Sequence, residues 1–515
     1  MPIRHLACLL VAALCLCTFA AAAAPDYKIR RYELNITPDF AQKSLRIATT
    51  IRIANPGLLD TFEFGLGDEY KIDSVKVNNA PAEFTAKDRL LTIKLAKPVN
   101  DVVLSVSTTG SPTKSHDESA AVIDDNSLFL LWSDRFYPID YDHWSPVRTT
   151  ITLPADMKVI APGHMVRSEE INGAHRVVFE TAQPTVCFSI FADRRWVRRE
   201  RIVNGIKILT LLHPEQDRFS EQIFETSGDV LKFFTELHGY YPAEQFAFVT
   251  VAGMRGRRAL NGYIAYGPPF LDREMERVGY DAHETSLLWW GYATRGSGPG
   301  AFQWNEGLGD YVELLYSQSR RKPLPAVFDR FRNEYLATPS DQEPLYTELR
   351  GNTPQKFVHG KYPWLMAVLH DYIGDASFRR GLRSLFVNHR NATYTIQDLI
   401  RHFEQASGTS LSWWREQWLE RRGVPEVSVQ FSKESGRQKV TNPPTRPGWS
   451  LRGTLTQHGP VYTIPLELGV RIDGGMEIIR IQASKQTTDF RWSGKSEPLE
   501  VVIDPNKRLL LRVKQ

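Results

Sequence analysis

The spacing of His283, Glu284 and Glu306 constrains this chain more than any other feature of its sequence. His283 and Glu284 stand in the segment DAHETSL, and eighteen residues separate Leu287 from Glu306. His283 and Leu287 are four residues apart, so on a helix both lie on one face. A carboxylate from a second helix can join such a face to hold one cation. The pattern therefore predicts two packed helices that meet at a polar site, with Leu287 facing that site.

Leu287 removes one ligand from this predicted site. A leucine has no lone pair, so His283 and Glu306 supply only two of the three protein ligands that a catalytic zinc ion needs. In a complete site, Glu284 would act as the general base on the metal-bound water. With an isobutyl group pointing at the metal position, we expect little or no bound metal.

The same segment resembles the zinc site of the aminopeptidase-N-like gluzincin metallopeptidases. Their usual motif is H-E-x-x-H, followed after eighteen residues by a glutamate in an N-E-G context. Residues 289–291 (WWG), Gly307 and Tyr311 match further positions of that pattern. The resemblance covers nearly the whole mature chain and implies a thermolysin-like catalytic domain between β-rich flanks.

The resemblance implies zinc as the cofactor of the family and assigns vestigial roles here. His283 and Glu306 take the positions of metal ligands, and Leu287 replaces the missing histidine. Glu284 takes the position of the general base. We therefore expect zinc to be absent or weakly bound in this chain.

The family's oxyanion-stabilising tyrosine also has no hydroxyl counterpart here. The family carries it in a Y-x-K-G segment, and the matching residues 357–360 (FVHG) place Phe357 at that position. Losing one oxyanion donor typically costs about 10²–10³ in turnover. A shifted alignment would recruit Tyr362 or His359 instead.

The motif that anchors the substrate in that family is also changed in this chain. Its G-x-M-E-N motif binds the free amine of the substrate through the glutamate. Here Asn261 matches the asparagine, and Leu260 stands in the glutamate's place. Nearby, Arg255, Arg257 and Arg258 would make a basic rim, but charge runs are usually solvated surface. We interpret these arginines as a solvated basic turn.

Composition indicates a globular chain. The 515 residues are 42% hydrophobic and 24% charged, enough for three domains. The net charge of +4 is small, and no stretch is basic enough to indicate nucleic-acid binding. The densest basic cluster, residues 194–201 (RRWVRRER), is interpreted as a solvated strand edge. After residue 24, no segment is long and apolar enough to predict a membrane span.

The first 24 residues are predicted to be a secretory signal peptide. Arg4 and His5 precede an apolar run over residues 6–19, which ends in an alanine run. Three of the four cysteines would leave with this peptide, so Cys187 would stay as a buried, inert thiol without a disulfide partner. The mature protein is therefore expected to be exported, periplasmic or secreted, and soluble.

Hydrophobic periodicity divides the mature chain into three parts and predicts a multi-domain α+β fold. Residues 25–205 alternate apolar and polar side chains and predict an N-terminal antiparallel β-domain. Residues 206–425 correspond to the thermolysin-like metallopeptidase-type domain, helical from about residue 321. Residues 426–515 return to short alternating strands and predict a C-terminal β-sandwich.

Three hypotheses for function follow. The leading one is an exported aminopeptidase-N-like homologue that is catalytically impaired and retained for binding a peptide or protein in the interdomain cleft. The alternative is an active zinc aminopeptidase that uses a replacement ligand, either Asp310 or His359. We interpret Asp310 instead as a carboxylate that orients His283. The third hypothesis is a structural subunit whose β-domains mediate assembly.

Overall fold

The computed structural model describes residues 27–112, 122–279, 281–322, 326–349, 353–436 and 448–514. The predicted signal peptide lies outside these residues. The architecture is mixed α/β and has several parts, as predicted at the level of fold class.

Alternating burial organises the amino-terminal strands. Along the first strand, Tyr32, Leu34 and Ile36 are buried, which is the period of two that a strand with one covered face requires. The strands of this part are β1 (Lys28–Asp39), β2 (Ser44–Ala54), β3 (Thr61–Gly65), β4 (Tyr70–Val77), β5 (Ala80–Pro81), β6 (Glu83–Lys87), β7 (Leu90–Lys94), β8 (Asp101–Gly110), β9 (Val122–Ile123), β10 (Ser127–Leu130), β11 (Val147–Pro154), β12 (Lys158–Ile160), β13 (His164–Ile171), β14 (Ala174–Glu180) and β15 (Ile190–Asp193).

These strands form an eight-stranded sheet and two smaller ones. The order in the large sheet is β13-β14-β11-β1-β2-β8-β4-β5. The smaller sheets have the orders β3-β7-β6 and β12-β15-β10-β9. The prediction of purely antiparallel pairing is wrong at one place, because β1 and β11 pair in parallel. A parallel pair needs a long crossover, and the intervening strands supply it.

The middle part contains a five-stranded sheet followed by helices. Its elements are β16 (Val197–Val203), β17 (Ile206–Leu212), α1 (Ser220–His238), β18 (Gln245–Thr250), β19 (Arg257–Leu260), β20 (Tyr263–Tyr266), α2 (Pro268–Arg277), α3 (His283–Leu287), β21 (Thr294–Gly296), α4 (Ala301–Ser319), α5 (Ala326–Leu336), α6 (Gln355–Ile373), α7 (Asp375–Asn388), β22 (Ala392–Tyr394), α8 (Ile396–Ser407) and α9 (Ser412–Trp418). The sheet order is β16-β17-β18-β20-β19, so β16 and β19 are its edge strands.

The arginine-rich strand β16 is exposed, which confirms its interpretation as a solvated edge. Its arginines pair with carboxylates on neighbouring segments: Arg199 with Asp217, and Arg201 with Glu221. Charged side chains on an edge strand discourage pairing with a second molecule.

Close approach between helices positions the central site. Helix α3 passes directly into a π-helical stretch, Leu288–Ala293. A Cβ at Gly307 of α4 would lie 2.3 Å from Cβ of Tyr362 on α6, and one at Gly309 would lie 3.0 Å from Oγ of Ser286 on α3. These two glycines therefore allow α4 to pack between α3 and α6 at short range.

The carboxyl-terminal strands pack onto the helices. They are β23 (Glu426–Ser435), β24 (Trp449–His458), β25 (Ile464–Ile472), β26 (Gly475–Ala483), β27 (Thr487–Gly494), β28 (Pro498–Ile503) and β29 (Arg512–Val513). They form sheets of the orders β27-β24-β23-β29 and β26-β25-β28. Buried residues of both sheets share one apolar cluster with Trp414 and Trp418 of α9. Both tryptophans are therefore part of the core.

Two further expectations can be compared with the structure. Cys187 is buried and free, as predicted, and burial raises the pKa of its thiol to about 11. Among the helices that the structure describes, none has the length and apolar character needed to cross a bilayer.

Candidate active site

Helices α3 and α4 bring three of the predicted site residues together. Nε2 of His283 lies 3.2 Å from Oε2 of Glu306, and its Nδ1 lies 2.9 Å from Oδ1 of Asp310. Glu306 and Asp310 are one turn apart on α4, so both carboxylates face α3. Each ring nitrogen of His283 is thus engaged by a carboxylate.

The charges around His283 stabilise its protonated form. Burial lowers the pKa of His283, but Asp310 and Glu306 outweigh that effect, and the pKa lies well above its ordinary value. Burial raises the pKa of Asp310, but His359 and His283 outweigh it, and the pKa lies below its ordinary value.

His359 belongs to the same cluster. Its Nδ1 lies 2.7 Å from Oδ2 of Asp310, so Asp310 bridges two imidazoles. The ring of His359 stacks on Phe331 at a centroid distance of 5.1 Å. Tyr362 is the other residue that a shifted alignment would place at the position of the oxyanion donor. It is buried against Trp304 at a centroid distance of 4.7 Å.

A third acidic residue, Glu313, joins this cluster and is absent from the sequence prediction. Ligand-type atoms of His283, Asp310 and Glu313 lie within 4.8 Å of one another, and all three residues are buried. Burial raises the pKa of Glu313 to about 8. Glu313 follows Glu306 by seven residues, a spacing that puts both on one face of a helix. Helical periodicity alone could therefore have placed Glu313 at the site.

Leu287 interrupts the ligand set that the zinc motif implies. Leu287 is 9% exposed, and its Cδ2 would lie 3.2 Å from a Cβ at Gly309. A hydrocarbon group therefore stands where the second imidazole would supply nitrogen. His283 and Glu306 alone leave the coordination set of a catalytic zinc incomplete.

Glu284 turns towards strand β19. One carboxylate oxygen accepts a hydrogen bond from the backbone N–H of Ala259 at 2.6 Å, and the other lies 3.2 Å from Nε of Arg257. Asp281 lies 3.1 Å from Nη1 of the same arginine and accepts a hydrogen bond from Tyr266. The residue at the general-base position is therefore held in a buried ion-pair network.

Arg257 contradicts the interpretation of its segment as a solvated turn. Only 21% of its side chain is exposed, and it pairs with Asp281, Glu284 and Glu274. Three carboxylates around one guanidinium compensate for the loss of its hydration. Sequence reasoning missed this role because the partners lie 17 to 27 residues away along the chain.

Phe357 and Leu260 are both buried among apolar side chains. Phe357 packs in a separate apolar cluster with Tyr335 and Trp364. Leu260 is fully buried among apolar side chains that include Phe191.

Asn261 reaches the amino-terminal strands rather than the cluster. Its Nδ2 donates to Oγ1 of Thr185 and, at 3.3 Å, to the carbonyl oxygen of Val186. This amide therefore ties the end of β19 to the β-rich region.

Comparisons with known proteins point to aminopeptidases. Over 163 residues, the chain is 26% identical to aminopeptidase N of Lactococcus lactis subsp. lactis, covering 29% of this chain and 19% of that protein. Aminopeptidase A of Legionella pneumophila, solved in complex with aspartic acid, superposes with a TM-score of 0.76 at 13% identity. That match covers 96% of this chain and 60% of the Legionella chain. No family model matches the chain.

These comparisons define the fold as that of an aminopeptidase. The structural match shows this fold over nearly the whole chain, and the sequence match supports a relationship to the aminopeptidases. The chain spans less than two thirds of the length of either relative.

Proposed function

We propose that this protein is an aminopeptidase-N-like metallopeptidase homologue that is catalytically impaired and acts by binding a peptide or protein. The observation that carries the proposal is Leu287 beside His283 and Glu306, where a catalytic zinc site needs a third ligand. The contacts of Glu284 support it, because both of its carboxylate oxygens already have partners on β19.

The retained framework supports a binding role. The aminopeptidase fold is kept over nearly the whole chain, although Leu287 stands where the resembled zinc motif has a histidine. The ligand is proposed to bind between the β-rich region and the helices, since peptides and small molecules usually bind in clefts between domains.

An activity assay tests the loss of catalysis. The purified protein, supplied with zinc, is incubated with aminoacyl amides of several side-chain classes, and we expect no turnover above background. Turnover that disappears in the Glu284→Gln variant would overturn the proposal, because it would show that the general base still operates.

A metal-dependent peptidase with a replaced ligand set is the second candidate. The cluster of His283, Asp310 and Glu313 favours it, since one imidazole and two carboxylates can hold a divalent cation. Equilibrium dialysis with Zn²⁺ and Mn²⁺ tests this candidate. Tight binding of either metal ion that is lost in Glu313→Gln would favour the metal-dependent peptidase over the impaired homologue. The absence of tight metal binding would exclude the metal-dependent peptidase.

We propose that the protein is exported, because residues 1–24 are predicted to be a signal peptide. The intact mass of the protein after expression with its full sequence tests this proposal. We expect the product in the periplasm or medium to begin at or just before Pro25. Full-length protein retained in the cytoplasm would contradict it.

A further inference from the structure

Strand β19 is an edge strand whose outer polar groups at Ala259 are both occupied. The N–H of Ala259 donates to Glu284 at 2.6 Å, and its carbonyl oxygen accepts from the hydroxyl of Tyr292 at 2.8 Å. On its other side, β19 pairs with β20. An extended peptide would add to a sheet through such outward N–H and C=O groups, and here they have internal partners.

Arg257 is the residue that keeps Glu284 in this position. Its guanidinium lies on the same strand, two residues before Ala259, and pairs with Oε1 while the Ala259 N–H engages Oε2. Asp281 and Glu274 hold the guanidinium from other directions, at 3.1 and 3.5 Å. The two oxygens of Glu284 are thus divided between a side chain and a backbone group of one strand.

From these contacts we infer that Arg257 is a positioning residue that closes the outer edge of β19. It holds Glu284 over Ala259, so an extended peptide cannot pair with the strand at this residue. The inference rests on the proposed function and deepens it: a peptide ligand of this protein binds away from Ala259, and Arg257 adds a second obstacle to catalysis beside Leu287.

Residue-resolved hydrogen exchange tests this inference directly. In the unmodified protein, we expect the Ala259 amide to be protected although it lies on the outer side of an edge strand. In Glu284→Ala, its exchange should accelerate about tenfold or more, because a hydrogen bond to a charged acceptor is lost. In Arg257→Gln, the same acceleration is expected, since Glu284 is no longer held.

The variant Arg258→Gln is the matched control, because it removes an arginine from the neighbouring position of the same strand. It should leave the exchange of Ala259 unchanged. Arg257→Lys keeps the positive charge and should restore part of the protection. If Arg257→Gln leaves Ala259 fully protected while Glu284→Ala exposes it, Arg257 has no positioning role and the inference fails.

Strand β18 provides an internal reference for folding, because it is buried at the centre of the same sheet. If the amides of β18 also lose protection in Arg257→Gln, that variant is unfolding. The exchange of Ala259 in Arg257→Lys, compared with the unmodified protein, then tests the role of Arg257. Unchanged exchange of Ala259 in Arg257→Lys and Glu284→Ala alike would also overturn the inference.

Failure of the proposed function is distinguishable from failure of this inference. Enzymatic turnover in the unmodified protein would refute the impaired site whatever the exchange at Ala259. Conversely, an unprotected Ala259 amide would refute the closed edge and leave the argument from Leu287 intact.

Discussion

A single side chain, Leu287, separates this segment from the H-E-x-x-H zinc motif that it resembles. Leu287 lies four residues after His283, and α4 brings Glu306 to 3.2 Å from the imidazole. Asp310 contacts the other ring nitrogen at 2.9 Å, which orients the ring. Under the proposed function, His283 and Glu306 keep two ligand positions and Leu287 replaces the third.

The substitution Leu287→His should create zinc binding. The new imidazole would lie on the same helix face as His283, so three ligands become available. We expect the variant to melt at a higher temperature with zinc than without, because a ligand at a hundredfold excess over its Kd stabilises by about 2.7 kcal/mol. Thermal unfolding with and without zinc measures this shift.

The variant Leu287→Gln is the control for that experiment, because it introduces a polar group of similar size without an imidazole. Its melting temperature should respond little to zinc. If folded Leu287→His takes up no zinc, then α3 and α4 do not hold the ligands at bonding distance and the argument from spacing is wrong.

At the scale of elements, close helix packing is what holds the site. Gly307 and Gly309 let α4 approach α6 and α3, and Gly360 does the same between α6 and α5. A Cβ at Gly360 would lie 2.5 Å from the carbonyl oxygen of Phe331. His359, the neighbour of Gly360, also stacks on Phe331. Packing of α5 on α6 therefore bears on the position of His359.

The substitution Gly360→Ala should force α5 and α6 apart. Overpacking of this kind typically costs about 1–3 kcal/mol in the free energy of unfolding, and denaturant unfolding measures it. Gly256→Ala is the control, because a Cβ there would have no neighbouring atom within 4 Å. Equal stability of the two variants would show that the contact at Gly360 can relax without cost.

The signals that start helices were predictable from the sequence, whereas the contacts between distant segments around Glu284 were not. Thr395 and Asp398 form a capping box at the start of α8, with both of its hydrogen bonds present. It depends on residues three positions apart. The contact of Arg257 with Glu284 spans 27 residues and depends on how β19 lies against α3, which no local pattern records.

The position of Phe357 illustrates the same limit. Sequence matching identifies the residue that corresponds to the family's tyrosine, but the rotation of α6 decides which neighbours its ring meets. The ring packs with Tyr335 and Trp364. Glu313 is the opposite case, because its spacing of seven residues from Glu306 was available in the sequence.

For the whole molecule, a shared core joins the helices to the carboxyl-terminal strands. One apolar cluster extends from α1 through α4, α6 and α9 to β24 and β25. His238, the last residue of α1, is buried within it and stacks on Trp289 at a centroid distance of 5.3 Å. Its Nδ1 lies 2.8 Å from the carbonyl oxygen of Phe234.

His238 should make the stability of the molecule sensitive to acid. Burial lowers its pKa from 6.5 to about 3. Below pH 6.5 the unfolded chain binds a proton at this position that the folded protein does not, so stability is lost as pH falls towards 3. The variant His238→Phe should lose less stability over that interval, as measured by urea unfolding at a series of pH values.

The variant Leu237→Ala is the comparison for that series. It creates a cavity next to His238 without removing a titratable group, so it should lower stability by about 2–5 kcal/mol with an unchanged slope against pH. A slope in His238→Phe equal to that of the unmodified protein would show that His238 does not carry the acid sensitivity.

The zinc content of the purified protein tests the central claim most directly, since the claim is that Leu287 leaves the ligand set incomplete. After gentle purification and dialysis against zinc-free buffer, elemental analysis should find much less than one zinc ion per chain. One zinc ion per chain that resists dialysis would contradict the account and favour a peptidase that recruits another ligand.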